Sequence, residues 1–287
     1  GFNEWMVRCG LSFAGHPGED KFINNVGAEA TMDLTLHGKI GNIPASEVVV
    51  VVDKKAPHRI RIRGRVNEVS FYGPNLSIWT EISTVPGSNE FRISDELTNN
   101  GTFDEEFQII YHANFGRPLL GKGARMLTAS TKIVPFNDNA AKAIDKQEVY
   151  PAPTKGFTEE VYKIYPKADK VGNATAVLVN PKGDRGVTMS WPVKQLPFLT
   201  QWKNTAAETT GYVTGIEPGT GFPHNRNYER KFGRVPKLAP GKTRSFDLDF
   251  RILGSKSEVE SAVGDVKKLQ GTTGPEIQKE PEALPEE

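Results

Sequence analysis

Short runs in which apolar and polar residues alternate recur along the first 250 positions, and turn-forming residues separate them. A period of two puts every second side chain on one face of an extended strand, so each run reads as a strand with a buried and an exposed side. Residues 58–63 (His-Arg-Ile-Arg-Ile-Arg) alternate in this way. Residues 76–82 and 90–97 do so as well, and Pro86-Gly87-Ser88-Asn89 between them predicts a hairpin turn. Further strands are predicted over 106–112, 174–180, 186–191, 211–217 and 244–253. Together they predict an all-β fold: one large antiparallel β-sandwich over residues 1–254, without an internal domain boundary.

The end of the chain changes character. Val259, Val263, Val266 and Leu269 recur at helical spacing, which predicts a short amphipathic helix over 255–269. Residues 270–287 are rich in Pro, Glu, Gly and Thr. Such a segment buries too little apolar surface to offset its ordering entropy, so a flexible tail is expected.

Charge adds little. Lys and Arg number 36 against 35 Asp and Glu, a net charge of +1, which gives no electrostatic reason to expect nucleic acid or an anionic membrane as partner. The longest apolar run, 48–52, is far too short to span a bilayer. A single cysteine, Cys9, excludes an internal disulfide and any multi-cysteine metal site, and reads as a small buried apolar group. No signal peptide is visible, which points to the cytoplasm. The chain opens on Gly1 rather than Met, as a processed or trimmed form would. Nothing in the pattern sets an oligomeric state.

The spacings of common catalytic motifs are missing: no GxSxG, HExxH, P-loop or GxGxxG is present. The five histidines are scattered, with no helical pair to hold a metal. Three polar clusters remain. His37 lies between apolar residues and glycines in LTLHGKIGN, where backbone can approach a ligand or a loop carbonyl can satisfy the ring. In EFQIIYHANFG, Gln108, Ile110 and His112 share one strand face, while Phe107, Ile109 and Tyr111 share the other. His112 beside Asn114 is suited to proton transfer, and equally to a structural role at a strand end. In GYVTGIEPGTGFPHNR, Glu217 ends an apolar strand in a Gly/Pro-rich loop, where partial burial would make it a base; an ion pair with Arg226 is the structural alternative. The arginines of RIRGRVNE, including Arg63 and Arg65, can donate to sugar hydroxyls or form an exposed basic face. Trp191 and Trp202 can stack on a pyranose ring or fill a core.

In their order and wording, LHGKIGNIPA, YHANFGRPLL and GYVTGIEPGTGFPHNRNYERKFGRVPKLAPGKTRSF resemble the galactose mutarotase (aldose 1-epimerase) superfamily, in particular its divergent bacterial aldose 1-epimerase-like branch. The resemblance runs from about Trp5 to Leu253. It implies a supersandwich with a sugar bound on one concave sheet and a cofactor-free acid–base isomerisation. It implies Glu217 as base, His112 as acid and His37 near the ring oxygen. Arg63 or Arg65 would match a substrate-binding arginine, and Asn114, Trp202 and Arg226 are further candidate sugar contacts read from the residues themselves. Tyr111 and Gly116 stand where characterised mutarotases carry asparagine. Another acid–base reaction on a sugar, or carbohydrate binding without catalysis, is the alternative on the same scaffold.

Overall fold

The computed structural model describes residues 4–24 and 26–285. The first third of the chain contributes β1 (Met6–Leu11), β2 (Gly18–Ile23), β3 (Glu29–Leu34), β4 (Glu47–Val52), β5 (Ile60–Val69), β6 (Asn75–Thr84) and β7 (Glu90–Asn99). The middle adds β8 (Glu105–Glu106), β9 (Gln108–Phe115), β10 (Arg125–Thr128), β11 (Ser130–Pro135), β12 (Glu160–Pro166) and β13 (Asn173–Val179). The last third adds β14 (Gly186–Pro192), β15 (Phe198–Thr205), β16 (Tyr212–Gly219), β17 (Lys237–Leu238), β18 (Thr243–Leu253) and β19 (Glu276–Ile277). Three helices join them: α1 (Asp138–Ala141), α2 (Arg226–Lys231) and α3 (Lys256–Gln270).

Two large sheets carry the fold. One runs β1-β9-β16-β15-β12-β11-β19 and the other β10-β13-β14-β18-β7-β6-β5-β4. Their facing sides supply one continuous core, including Ile109, Tyr111, Ala113 and Ile216 from the first sheet and Ile78, Ile93, Phe246 and Leu248 from the second. This is the sheet-on-sheet sandwich that the alternating pattern predicts. One ionic contact crosses the core. Arg8 Nε on β1 donates to Asp95 Oδ2 on β7 at 2.6 Å, and the Tyr111 hydroxyl donates to the same carboxylate at 2.9 Å. Tyr111 therefore faces the interior, away from the other side of its sheet.

Helix α3 is capped by Ser255, whose hydroxyl accepts from the Glu258 amide while Glu258 reaches back to the Gly254 amide, close to a capping box. Its Val259 and Val266 pack with Leu127, Val177, Val179 and Leu253 on the outer side of the eight-stranded sheet. No helix among the described residues is long and apolar enough to cross a membrane.

The segment after α3 departs from the flexible tail expected from its composition. β19 pairs in parallel with the sheet edge at β11, and Glu282 accepts hydrogen bonds from Lys163, Tyr165 and Arg234. Composition reports the apolar surface a segment can bury itself. It carries no sign that a buried lysine on a distant strand needs a carboxylate.

Candidate active site

The face of the seven-stranded sheet that points away from the core holds the site. Along β9 the inward residues are Ile109, Tyr111, Ala113 and Phe115, so Gln108, Ile110, His112 and Asn114 point to the opposite side. β16 pairs with β9 antiparallel, with Ile216 opposite Ala113 and Gly215 opposite Asn114. The next step of that register sets Glu217 opposite His112, with both side chains on the outer face. His112 Nε2 and Glu217 Oε1 stand 3.0 Å apart, and both side chains are almost completely buried, at 5% and 2% exposure.

Gly215 makes the approach possible. A Cβ there would collide with Glu217 Oε1 and lie 2.8 Å from His112 Cε1. The glycine is thus a hollow in the sheet beneath the His112–Glu217 contact.

Two aromatic side chains flank the pair. The His37 ring centroid lies 5.6 Å from that of His112, and the Trp202 ring centroid lies 5.4 Å from it. Trp202 sits on β15 opposite Gly215, half-buried, with Nε1 donating to Glu159 at 2.6 Å. Trp191, the other tryptophan offered as a platform, is in the core.

His37 is held by its backbone. It adopts φ 62°, uncommon for a residue with a Cβ, and Gly38 follows at φ 78°. Gly38 must be glycine because a Cβ would run into the carbonyls of Phe13 and Gly10. The His37 Nδ1 lies 3.1 Å from the Ala14 carbonyl, which fixes that nitrogen as the donor and Nε2 as the acceptor. Burial lowers the His37 pKa, outweighing the pull of the Glu217 charge, so this ring is a neutral imidazole at pH 7.

Sequence reasoning passed over several neighbours. His16 also feels the charge of Glu217, and burial lowers its pKa too. His224 stacks between Phe136 and Tyr228, at centroid distances of 3.9 and 4.0 Å, and burial followed by the Lys163 and Arg234 charges pushes its pKa down to about 2. Gly15 lets the loop carrying His16 lie against the His224 carbonyl, where a Cβ would collide. Each residue is polar or aromatic and far apart in sequence, so only the sheet register brings them together.

Three expected sugar contacts are placed differently. Arg63 and Arg65 pair across β5–β6 with Glu81 and Trp79, on the outer face of the eight-stranded sheet. There they make ion pairs with Glu96 and Glu47, at 3.3 and 3.2 Å, on the far side of the sandwich from His112. The alternating strand that suggested them has its arginines on the wrong sheet.

Arg226 is buried, but its partner is Asp20 and not Glu217: Nε donates to Asp20 Oδ2 at 2.7 Å and Nη1 to the Ser12 carbonyl at 2.8 Å. The first turn of α2 aims it at the β2–β3 hairpin, where a fully buried aspartate needs a cation. Asn114 does lie on the site face, half-buried, two register steps from the pair, with its amide donating to the Glu4 carbonyl at 3.2 Å.

Comparison with known proteins adds a family to this geometry. A family model described as Domain of unknown function (DUF4432) matches residues 1–252. A candidate aldose 1-epimerase from Klebsiella pneumoniae, known from its crystal structure, shares 43% identity at a TM-score of 0.92, over 99% of this chain and 71% of its own. A candidate aldose 1-epimerase from Escherichia coli K12 aligns at 13% identity and TM-score 0.58, over 87% of this chain and 84% of its own. A galactose mutarotase-like protein from Lactobacillus casei aligns at 12% and 0.56, over 86% and 84%. The last two show a shared fold. No curated protein matches the chain.

Proposed function

The chain belongs to the DUF4432 family within the galactose mutarotase-like (aldose 1-epimerase) superfamily, and from that premise we propose that it is an aldose 1-epimerase acting on a free sugar. The observation that carries this reading is the buried contact of His112 with Glu217 from directly opposed strand positions.

The chemistry needs a base and an acid on two neighbouring oxygens. The anomeric hydroxyl and the ring oxygen are both bonded to C1, so groups one hydrogen-bond length apart can address both at once. Glu217 removes the proton from the anomeric hydroxyl. The freed electron pair forms the C1 carbonyl, the bond from C1 to the ring oxygen breaks, and that oxygen takes a proton from His112, the acid of the pair. Rotation about C1–C2 presents the other carbonyl face. Closure then reverses each transfer: Glu217 returns its proton to the carbonyl oxygen and His112 recovers its own.

Trp202 offers an apolar face to the sugar ring beside His112. The scarcity of water around a pair this buried strengthens both proton transfers. NMR anomer exchange over neutral aldoses, uronic acids and keto-sugars tests the reading. Acceleration of at least one aldose is expected, and acceleration of none overturns it.

A further inference from the structure

A second polar group lies on the same face, two strands from the acid–base pair. The register sets Glu217 opposite Thr200 on β15, and Thr200 opposite Lys163 on β12. Strand spacing puts Glu217 and Lys163 roughly 10 Å apart along this row. That separation suits one hexose ring together with the reach of a lysine side chain. Between them, the buried Thr200 Oγ1 has no hydrogen-bond partner among the described residues.

Lys163 is completely buried, and its ammonium donates to Glu282 at 2.8 Å, with His224 Nε2 at 3.4 Å. Arg234, 6% exposed, donates to the same Glu282 oxygen at 3.0 Å while its remaining donors hold Glu229. Two desolvated cations thus converge on one carboxylate. Burial lowers the Lys163 pKa, and the Glu282 charge opposes that shift.

The carboxylate comes from a weakly secured segment. Residues 271–285 are mostly exposed. Besides the Glu282 carboxylate, they are tied down by the two-residue bridge to β11, by Gln278 N donating to the Ile133 carbonyl, by the Tyr228 hydroxyl on the Glu282 carbonyl, and by surface ion pairs of Glu276 with Lys132 and of Lys279 with Asp145. Buried cations are built to be paired, whereas a mostly solvated strap is readily displaced.

We propose that Lys163 and Arg234 form an anion subsite of the catalytic cleft, with Glu282 as its displaceable occupant, and that the substrate is an acidic aldose. Its carboxylate or phosphate monoester takes the place of Glu282 while C1 lies between His112 and Glu217, and Thr200 accepts or donates to a hydroxyl on the way. The position of C1 rests on the epimerase reading.

The test is anomer exchange by NMR on a neutral hexose, the matching uronic acid and the matching hexose 6-phosphate. The wild type is compared with Glu282→Gln and Lys163→Met. Removing the internal competitor with Glu282→Gln raises the acidic-to-neutral ratio of kcat/KM about fivefold. Lys163→Met drops that ratio below the wild-type value. A rise confined to the uronic acid assigns a carboxylate, and one confined to the 6-phosphate assigns a phosphate.

An unchanged ratio in Glu282→Gln overturns the subsite, whether or not the Lys163 variant folds, and leaves Glu282 as a clasp for the tail. The methyl glycoside of the uronic acid cannot open its ring, and its binding is read by ligand-observed NMR. Binding tightened by Glu282→Gln without any anomer exchange supports the subsite and overturns the epimerase reading. Exchange of neutral sugars with no dependence on charge does the reverse.

Discussion

His112 Nε2 and Glu217 Oε1 meet at 3.0 Å because β9 and β16 pair with these residues opposed, over a glycine that leaves room for them. Gly215→Ala introduces a Cβ into the space that both side chains occupy. Its backbone is otherwise ordinary for a strand residue, so the sheet survives and the pair is pushed apart. A misplacement of this kind costs about 10²-fold in kcat/KM. The check is steady-state anomer exchange alongside circular dichroism: a folded variant with wild-type turnover would contradict this role for Gly215.

Arg63 and Arg65 lie on the outer face of the other sheet, in exposed ion pairs. Exposed pairs of this kind contribute about 0–1 kcal/mol. Arg63→Ala and Arg65→Ala are therefore expected to retain wild-type kcat and KM, with thermal midpoints almost unchanged. A rise in KM for any sugar would return these arginines to the binding site.

The fold and the centre of the site were legible in the sequence for different reasons. Period-two alternation reports which face of a strand is buried, so the sandwich followed directly, and the two faces of 107–112 were separated correctly because one carries only aromatic and aliphatic side chains. His112 and Glu217 emerged from motif order, which register then turned into a contact. Arg63 and Arg65 misled because alternation says nothing about which of two sheets a strand joins. Tyr111, a departure from the motif of the family the sequence resembles, proves to face the core and hydrogen-bond Asp95. Lys163 gave no signal at all: a single lysine among apolar strand residues acquires meaning only when Glu282, far along the chain, arrives beside it.

Arg226 and Asp20 make a structural prediction. Burial alone would raise the Asp20 pKa, but hydrogen bonds and charge from Arg230 and Arg226 outweigh it and hold the carboxyl below its usual value. Arg226→Met removes one of the two guanidiniums while keeping apolar bulk. The loss is about 3 kcal/mol at pH 7, read by urea denaturation. Because the folded pKa is depressed, this contribution is present above the unfolded carboxyl pKa and is lost as pH falls through the folded one. Equal stability of variant and wild type at pH 7 would contradict the assignment.

Glu105 behaves in the opposite sense. Burial raises its pKa to about 7, with Glu106 and Glu68 adding to the shift and Arg226 opposing it. A carboxyl with a raised folded pKa holds its proton where the unfolded chain has released it, so stability falls as pH rises from the unfolded value of 4.5 towards 7. Glu105→Gln removes that loss. Its thermal midpoint should exceed the wild type at pH 8 and match it near pH 4. A gain of equal size at both values would show that burial of the ionised form is not the cause.

The most direct test of the central claim is to separate turnover from binding at Glu217. Glutamine keeps the shape of the side chain and removes the base. Glu217→Gln is expected to lower kcat for anomer exchange by about 10²–10⁴-fold, while ligand-observed NMR still detects the sugar bound with an affinity near that of the wild type. Unchanged anomer exchange in a folded Glu217→Gln protein would contradict the assignment of Glu217 as the base facing His112.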